Sequence, residues 1–120
     1  MTQLPKLSCL AVLAAALLPL AAHADGRLDW SGNVDDRASI SIHGRNVQTQ
    51  TISGKPVQSV TTHIFGRLPT KHPVFVNITK RGRGTVRVVQ QPGPFNNYTA
   101  VVRIHDPQPG ADHYRFRLEW

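Results

Sequence analysis

Apolar and polar residues alternate along most of the chain after residue 24, and this period of two predicts β-strands. The clearest run is "HYRFRLEW", where Tyr114, Phe116, Leu118 and Trp120 point to one side and the intervening polar residues to the other. Residues typical of turns separate the runs, and no helical period of useful length occurs after residue 24. The predicted strands are 37–43, 46–52, 57–65, 74–80, 85–90, 98–105 and 113–120.

About seven short strands predict an all-β fold, a single antiparallel β-sandwich, because a sheet with one apolar face must bury that face against a second layer. A small β-barrel is the alternative. The Thr- and Gln-rich runs 46–52 and 57–65 are predicted to be edge strands. A three-residue loop, Gly82–Gly84, would put Ile78 opposite Val88, which predicts a β-hairpin with Gly84 at positive φ.

The first 24 residues predict a cleaved signal peptide. Lys6 precedes the apolar run "LSCLAVLAAALLPLAA", and small residues, Ala22 and Ala24, flank His23 at the cleavage position. The run is short for a membrane span of about 20 residues, and no later segment is apolar enough to anchor the chain. We therefore expect residues 25–120 to form one soluble domain without a transmembrane anchor, exported to the periplasm or to the extracellular space.

Cysteine content and charge add to this interpretation. The single cysteine, Cys9, lies in the predicted leader, so the exported domain contains no cysteine and forms no disulfide. Of the 14 Lys and Arg residues only Lys6 precedes Asp25, which leaves 13 against seven Asp and Glu, a net charge of +6 with neutral histidines. Such a balance favours anionic partners.

Four arginines alternate with inward apolar residues on the last three predicted strands, and they are the candidate ligand-binding residues: Arg87, Arg103, Arg115 and Arg117. If these strands share a sheet, the arginines form one basic face. Guanidinium groups on a rigid sheet can hold phosphate, sulfate or carboxylate by paired hydrogen bonds. The competing interpretation is that outward arginines only block edge aggregation and keep the protein soluble.

Motifs for catalysis, cofactors and metals are missing from the sequence. It contains no nucleophile motif, phosphate loop or cofactor fingerprint, so we expect no catalytic residue and no cofactor. The histidines after residue 24 have no metal-ligand spacing. Weak metal candidates are Asp106 and Asp112, at the two ends of the loop "HDPQPGADH", where carboxylates and carbonyls could coordinate calcium. Both residues are equally typical of loops, and we expect no metal.

Three segments carry a resemblance to a known group of proteins: "WSGNVDDRASISIHG", "RGRGTVRVVQQP" and "NNYTAVVRIHDPQPGADHYRFRLEW". Together they resemble a group of small, exported, uncharacterised bacterial all-β proteins with no assigned function. The resemblance covers most of the chain after residue 24. It implies an exported single-domain β protein and supplies no catalytic residue.

The sequence therefore predicts a non-enzymatic binding or envelope-associated module with a basic face. Its expected partner is an anionic polysaccharide, lipopolysaccharide or another anionic polymer. Nucleic acid is disfavoured, because a lone RGRG without repeats is poor support for a nucleic-acid-binding arm. The alternative function is a small secreted enzyme or inhibitor whose site is not visible in the sequence.

Overall fold

The computed structural model describes residues 25–120, and the predicted signal peptide, residues 1–24, lies outside the described residues. Eight β-strands form two four-stranded antiparallel sheets that pack together as a β-sandwich. This confirms the predicted all-β sandwich over the alternative of a barrel. Within residues 25–120, no helix is long and apolar enough to cross a membrane. The strands are β1 (Arg27–Val34), β2 (Arg37–His43), β3 (Asn46–Ser53), β4 (Gln58–Phe65), β5 (Asn77–Arg81), β6 (Thr85–Gln90), β7 (Ala100–His105) and β8 (Asp112–Glu119).

The strand order assigns every predicted arginine to a sheet. Sheet A has the order β4-β1-β8-β5, and sheet B has the order β3-β2-β7-β6. The two Thr- and Gln-rich strands, β3 and β4, lie at sheet edges, which confirms the prediction from their composition. At the other side of the sandwich the edges are β5 and β6, and these two strands contact each other across the sheets.

The core lies between the sheets and is built by the predicted alternation. In β2, β7 and β8 every second residue is buried, and the residues between them face outward. Trp30 of β1 stacks on Phe116 of β8 with ring centroids 5.3 Å apart and planes at 14°. Its indole Nε1 donates a hydrogen bond of 3.0 Å to Thr49 Oγ1 of β3, so one side chain joins the two sheets. Such burial of aromatic and aliphatic side chains is the main stabilising term for a domain without disulfides.

β1 was missing from the predicted strands, although its burial alternates along its whole length. The cause is the sequence "WSGNVDD", whose Gly, Asn and Asp residues are typical of turns. Gly32 lies inside the strand. A larger residue does not fit there, because a Cβ at this position would come within 2.8 Å of the Trp30 ring. Here glycine serves close packing on a tryptophan and not a turn.

The predicted β-hairpin around Gly82–Gly84 is wrong. β5 pairs with β8 in sheet A, whereas β6 pairs with β7 in sheet B, so the three residues carry the chain from one sheet to the other. The positive φ is at Gly82 (147°) and not at Gly84. A Cβ at Gly84 would collide with the carbonyl oxygen of His105, so this glycine is required by close approach of two backbones.

Trp120 confirms the predicted inward direction of the last strand. Its side chain is 9% exposed, and its Nε1 donates a hydrogen bond of 3.2 Å to the carbonyl oxygen of Arg67. Its backbone N–H donates to the carbonyl oxygen of Gly26, beside the start of β1. Trp120 therefore closes the end of the core next to the first described residues.

Candidate functional site

The four arginines predicted to form one basic face lie on the outer faces of different sheets. Arg87 and Arg103 lie in sheet B, on β6 and β7, whereas Arg115 and Arg117 lie on β8 in sheet A. The expectation of a single face fails because the chain crosses between the sheets twice in this region, before β6 and before β8. The structure thus brings together two pairs.

The pair in sheet B belongs to a larger cluster of basic residues, which we name the basic patch: Arg37, Arg87, Arg103 and His105. Arg87 and Arg103 are direct partners across β6 and β7, and His105 is paired with Arg37 across β7 and β2. The side chains border a depression of about 310 Å³, which Thr85 and Ile104 also line. Three adjacent strands therefore hold three guanidinium groups beside one concave surface.

The charges in the basic patch are not balanced locally. No carboxylate lines the depression, and none of the three arginines has an ion-pair partner among residues 25–120. The nearest acidic contact joins His105 Nε2 to Asp36 Oδ1, at 3.7 Å. Like charges directly opposite one another weaken a strand pair, so Arg87 beside Arg103 is unfavourable until an anion lies between them. This arrangement can bind a phosphate, sulfate or carboxylate group.

The outer face of sheet A carries a second depression, a groove of about 600 Å³ that crosses all four strands. It contains another directly opposed arginine pair, Arg81 on β5 and Arg115 on β8. Unlike the basic patch, the groove is also lined by Asp29 and Glu119, and by His63. Its lining is therefore of mixed charge and less selective for anions.

Arg117, the fourth predicted residue, is already paired. Its Nε donates a hydrogen bond of 2.7 Å to Asp29 Oδ1, and its second nitrogen lies 3.4 Å from Oδ2. The hydrogen bond to Asp29 raises the pKa of Arg117. Arg27 also approaches the same carboxylate, at 3.4 Å. Arg117 therefore has less capacity for an external anion than Arg87 or Arg103.

The candidate calcium residues surround an arginine. Asp106 is fully buried, and its carboxylate accepts two hydrogen bonds of 2.8 Å from Arg83. Asp112 lies 3.9 Å from the same guanidinium. Among the described residues, no group of three or more His, Cys, Asp and Glu side chains could hold a metal ion. The positive charge of Arg83 thus lies between the two carboxylates that were the candidate calcium ligands.

Tyr114 completes this cluster. Its hydroxyl accepts a hydrogen bond of 2.9 Å from the Gly84 N–H, and its burial raises its pKa. The hydrogen bonds from Arg83 lower the pKa of Asp106, with further help from the Gln108 N–H. A charged pair and a neutral tyrosine therefore fix the connection between β5 and β6 beside the loop before β8.

Sequence reasoning missed three of the relevant cations. Arg37 could have been found, because the predicted strand 37–43 has Ala38, Ile40 and Ile42 inward and so places Arg37 outward. Arg81 and Arg83 were assigned to a hairpin, with Arg81 opposite Thr85 and Arg83 in the loop. No signal in the sequence reveals that Arg83 has a buried carboxylate partner 23 residues away.

Comparison with known proteins gives no relative to reason from, since no protein-family model, curated protein or solved structure matches this chain. The resemblance to small exported bacterial proteins therefore stays a prediction. The function has to be inferred from the geometry of residues 25–120 alone.

Proposed function

We propose that this protein is an exported, non-enzymatic binding module that holds the anionic groups of a polymer at the basic patch. The observation that carries the proposal is the direct opposition of Arg87 and Arg103, with Arg37 beside them and no carboxylate lining the depression. The proposal keeps two of the four arginines predicted from sequence and adds Arg37.

The chemistry of the patch suits an oxyanion. A guanidinium group presents a planar set of donors that matches phosphate, sulfate and carboxylate, and it stays charged at any physiological pH. Because the three arginines extend from a sheet, their backbone positions are fixed before binding, which limits the entropy lost on association. A repeating polyanion such as an acidic polysaccharide or lipopolysaccharide would add contacts along the same face.

The residues that line the two depressions support binding over catalysis. No carboxylate lines the basic patch, and its histidine, His105, lies 3.7 Å from the partly exposed Asp36. In the groove of sheet A the central carboxylate, Asp29, is occupied by Arg117. The lining of the basic patch contains no carboxylate and so lacks the paired carboxylates that glycoside hydrolases need.

The experiment compares two triple variants with equal loss of charge. Replacing Arg37, Arg87 and Arg103 with Gln removes the patch, whereas replacing Lys55, Arg67 and Lys71 with Gln removes three exposed cations from the connections on either side of β4. Binding to dextran sulfate and to lipopolysaccharide is measured by calorimetry over a series of salt concentrations. We expect the patch variant to lose at least about tenfold more affinity than the control, the equivalent of about 1.4 kcal/mol.

The salt series separates specific ion pairing from diffuse attraction. Removing one arginine that pairs with the polymer should lower the slope of log affinity against log salt, by somewhat under one for a polyanion as highly charged as duplex nucleic acid. Equal weakening in both variants would mean attraction by net charge alone, and the basic patch would then be rejected as a site. Fluorescence melts on each variant establish that both stay folded.

A further inference from the structure

The two edges at the β3 and β4 side of the sandwich differ in chemistry from the edges at the other side. β3 and β4 are each eight residues long, and neither contains Lys, Arg, Asp or Glu. The opposite edges are basic, since β5 carries Lys80 and Arg81 and β6 carries Arg87. Charged side chains on an edge prevent it from pairing with another chain. One side of this sandwich has that protection and the other lacks it.

β4 is the more accessible of the two unprotected edges. It pairs only with β1, and its side chains are exposed from Gln58 to His63. Its other side therefore presents unpaired backbone N–H and C=O groups. The positive φ of Ser59 (58°) and the register shift against β1 confine the irregularity to the first residues of the strand. Thr61–Phe65 pairs regularly with β1, is rich in β-branched residues and is free of proline, which are the properties of a strand that accepts another strand.

We propose that β4 pairs antiparallel with β4 of a second copy of this chain and so joins two A sheets into one eight-stranded sheet. The charge distribution favours β4 as the edge at which two copies of the chain can meet. Each copy is strongly basic, so contact through β5 or β6 would put like charges together, whereas β4 meets β4 without any formal charge. A twofold axis makes the contact self-complementary, as is usual for homodimers.

Side-chain direction fixes the register. Opposed residues in an antiparallel pair point to the same face, so inward residues must meet inward residues. An axis through Thr62 sets Val60, which is 42% exposed, opposite the second copy's Ile64. On the outer face the same axis sets Thr61 opposite His63. This register covers exposed apolar surface of Val60 and leaves no charge facing another.

The test uses three double variants of the exported protein, purified from cells that express the full chain. Thr61→Lys with His63→Lys opposes lysines across the new pair, whereas Thr61→Glu with His63→Lys opposes Glu to Lys in the register proposed. Thr79→Lys with Thr85→Lys is the control, because it adds the same charge on the strands at the far side. Molar mass is measured by sedimentation equilibrium from about 10 µM to about 1 mM, the range in which a modest interface is populated.

We expect the parent, the Glu–Lys variant and the far-side control to shift from one chain to two over this range. The Lys–Lys variant should stay at one chain. A parent that remains a single chain at the highest concentration overturns the proposal. So does a Lys–Lys variant that dimerises like the parent, or a far-side control that dissociates equally, because the contact would then lie elsewhere or depend on net charge.

Hydrogen exchange of the parent supplies a measurement that needs no substitution. Amides of β4 that face away from β1 exchange rapidly in a single chain, because they have no partner strand. They should become protected at high protein concentration if β4 pairs with β4, while those of β5 should not change. Protection that is independent of concentration would contradict the pairing.

Discussion

The guanidinium of Arg83 donates two hydrogen bonds of 2.8 Å to the carboxylate of Asp106, whose side chain is fully buried. The same guanidinium donates to the carbonyl oxygen of Gly110 at 2.7 Å. One side chain thus fixes both the connection between β5 and β6 and the loop between β7 and β8. The ion pair of Arg83 and Asp106 therefore stabilises a segment that the sequence predicted to be a hairpin loop.

Replacing Arg83 should therefore destabilise the domain more than replacing its neighbour. Arg83→Gln leaves a buried carboxylate without its counter-charge, which is costly in an environment of low polarity. Arg81→Gln removes the same charge from an exposed position without an ion pair, and surface changes of this kind stay within about 0.5 kcal/mol. Urea unfolding of both variants measures the difference. Equal midpoints would contradict the structural role of the ion pair.

The low pKa of Asp106 predicts a specific loss of stability in acid. Because the folded protein holds this proton less tightly than the unfolded chain, the contribution is present above the unfolded value of about 4 and disappears as pH falls through the lower, folded pKa. Asp106→Asn should be less stable than the parent at pH 7 and should lose less stability between pH 5 and strong acid, about the range in which the carboxyl titrates. Parallel pH profiles for the two proteins would refute this assignment.

Trp120 should be as important as a central core residue. Truncating a buried aromatic side chain costs about 3–5 kcal/mol, a large part of the stability of a small domain. We expect Trp120→Ala to lower the melting temperature strongly, whereas Phe95→Ala, at a side chain 79% exposed, should have little effect. Calorimetry of the two variants compares them directly. A shared melting temperature would show that the Trp120 side chain contributes nothing to stability.

We expect the first 24 residues to act as a leader that is removed after Ala24. The small residues Ala22 and Ala24 favour this site, so the intact mass of the exported protein should correspond to a chain that starts at Asp25. A mass that still includes Met1 would count against export. A start at His23 would instead place a histidine at the amino terminus, where it could act as a metal ligand.

The sequence predicted the fold class because alternation is directly visible in strands with one buried face. In β2, Ala38, Ile40 and Ile42 are all fully buried, as their spacing requires. β1 was missed because Gly32 and Asn33 imitate a turn. A single-sequence pattern has no access to the Trp30 ring that makes a glycine necessary at position 32.

The candidate site was predicted only in part, for a topological reason. Alternation shows that Arg87 and Arg115 face outward, but it does not say which sheet each strand joins. That choice depends on interactions between distant residues, such as the ion pair of Arg83 and Asp106. The alternation was thus enough to predict which residues face outward. Predicting which outward residues lie together would have required the strand order.

The pairing of β1 with β8 has a consequence for the time course of folding. Asp29 and Arg117 are neighbours across these strands although 88 residues separate them in the chain. The centre of sheet A therefore cannot form until the two ends of the domain meet, whereas the β2–β3 hairpin of sheet B can form early. Folds dominated by such distant pairings are slow, on the order of milliseconds to seconds. Until β8 pairs with β1, the backbone groups on that edge of β1 have no partner strand, and the partly folded chain is then most vulnerable to aggregation.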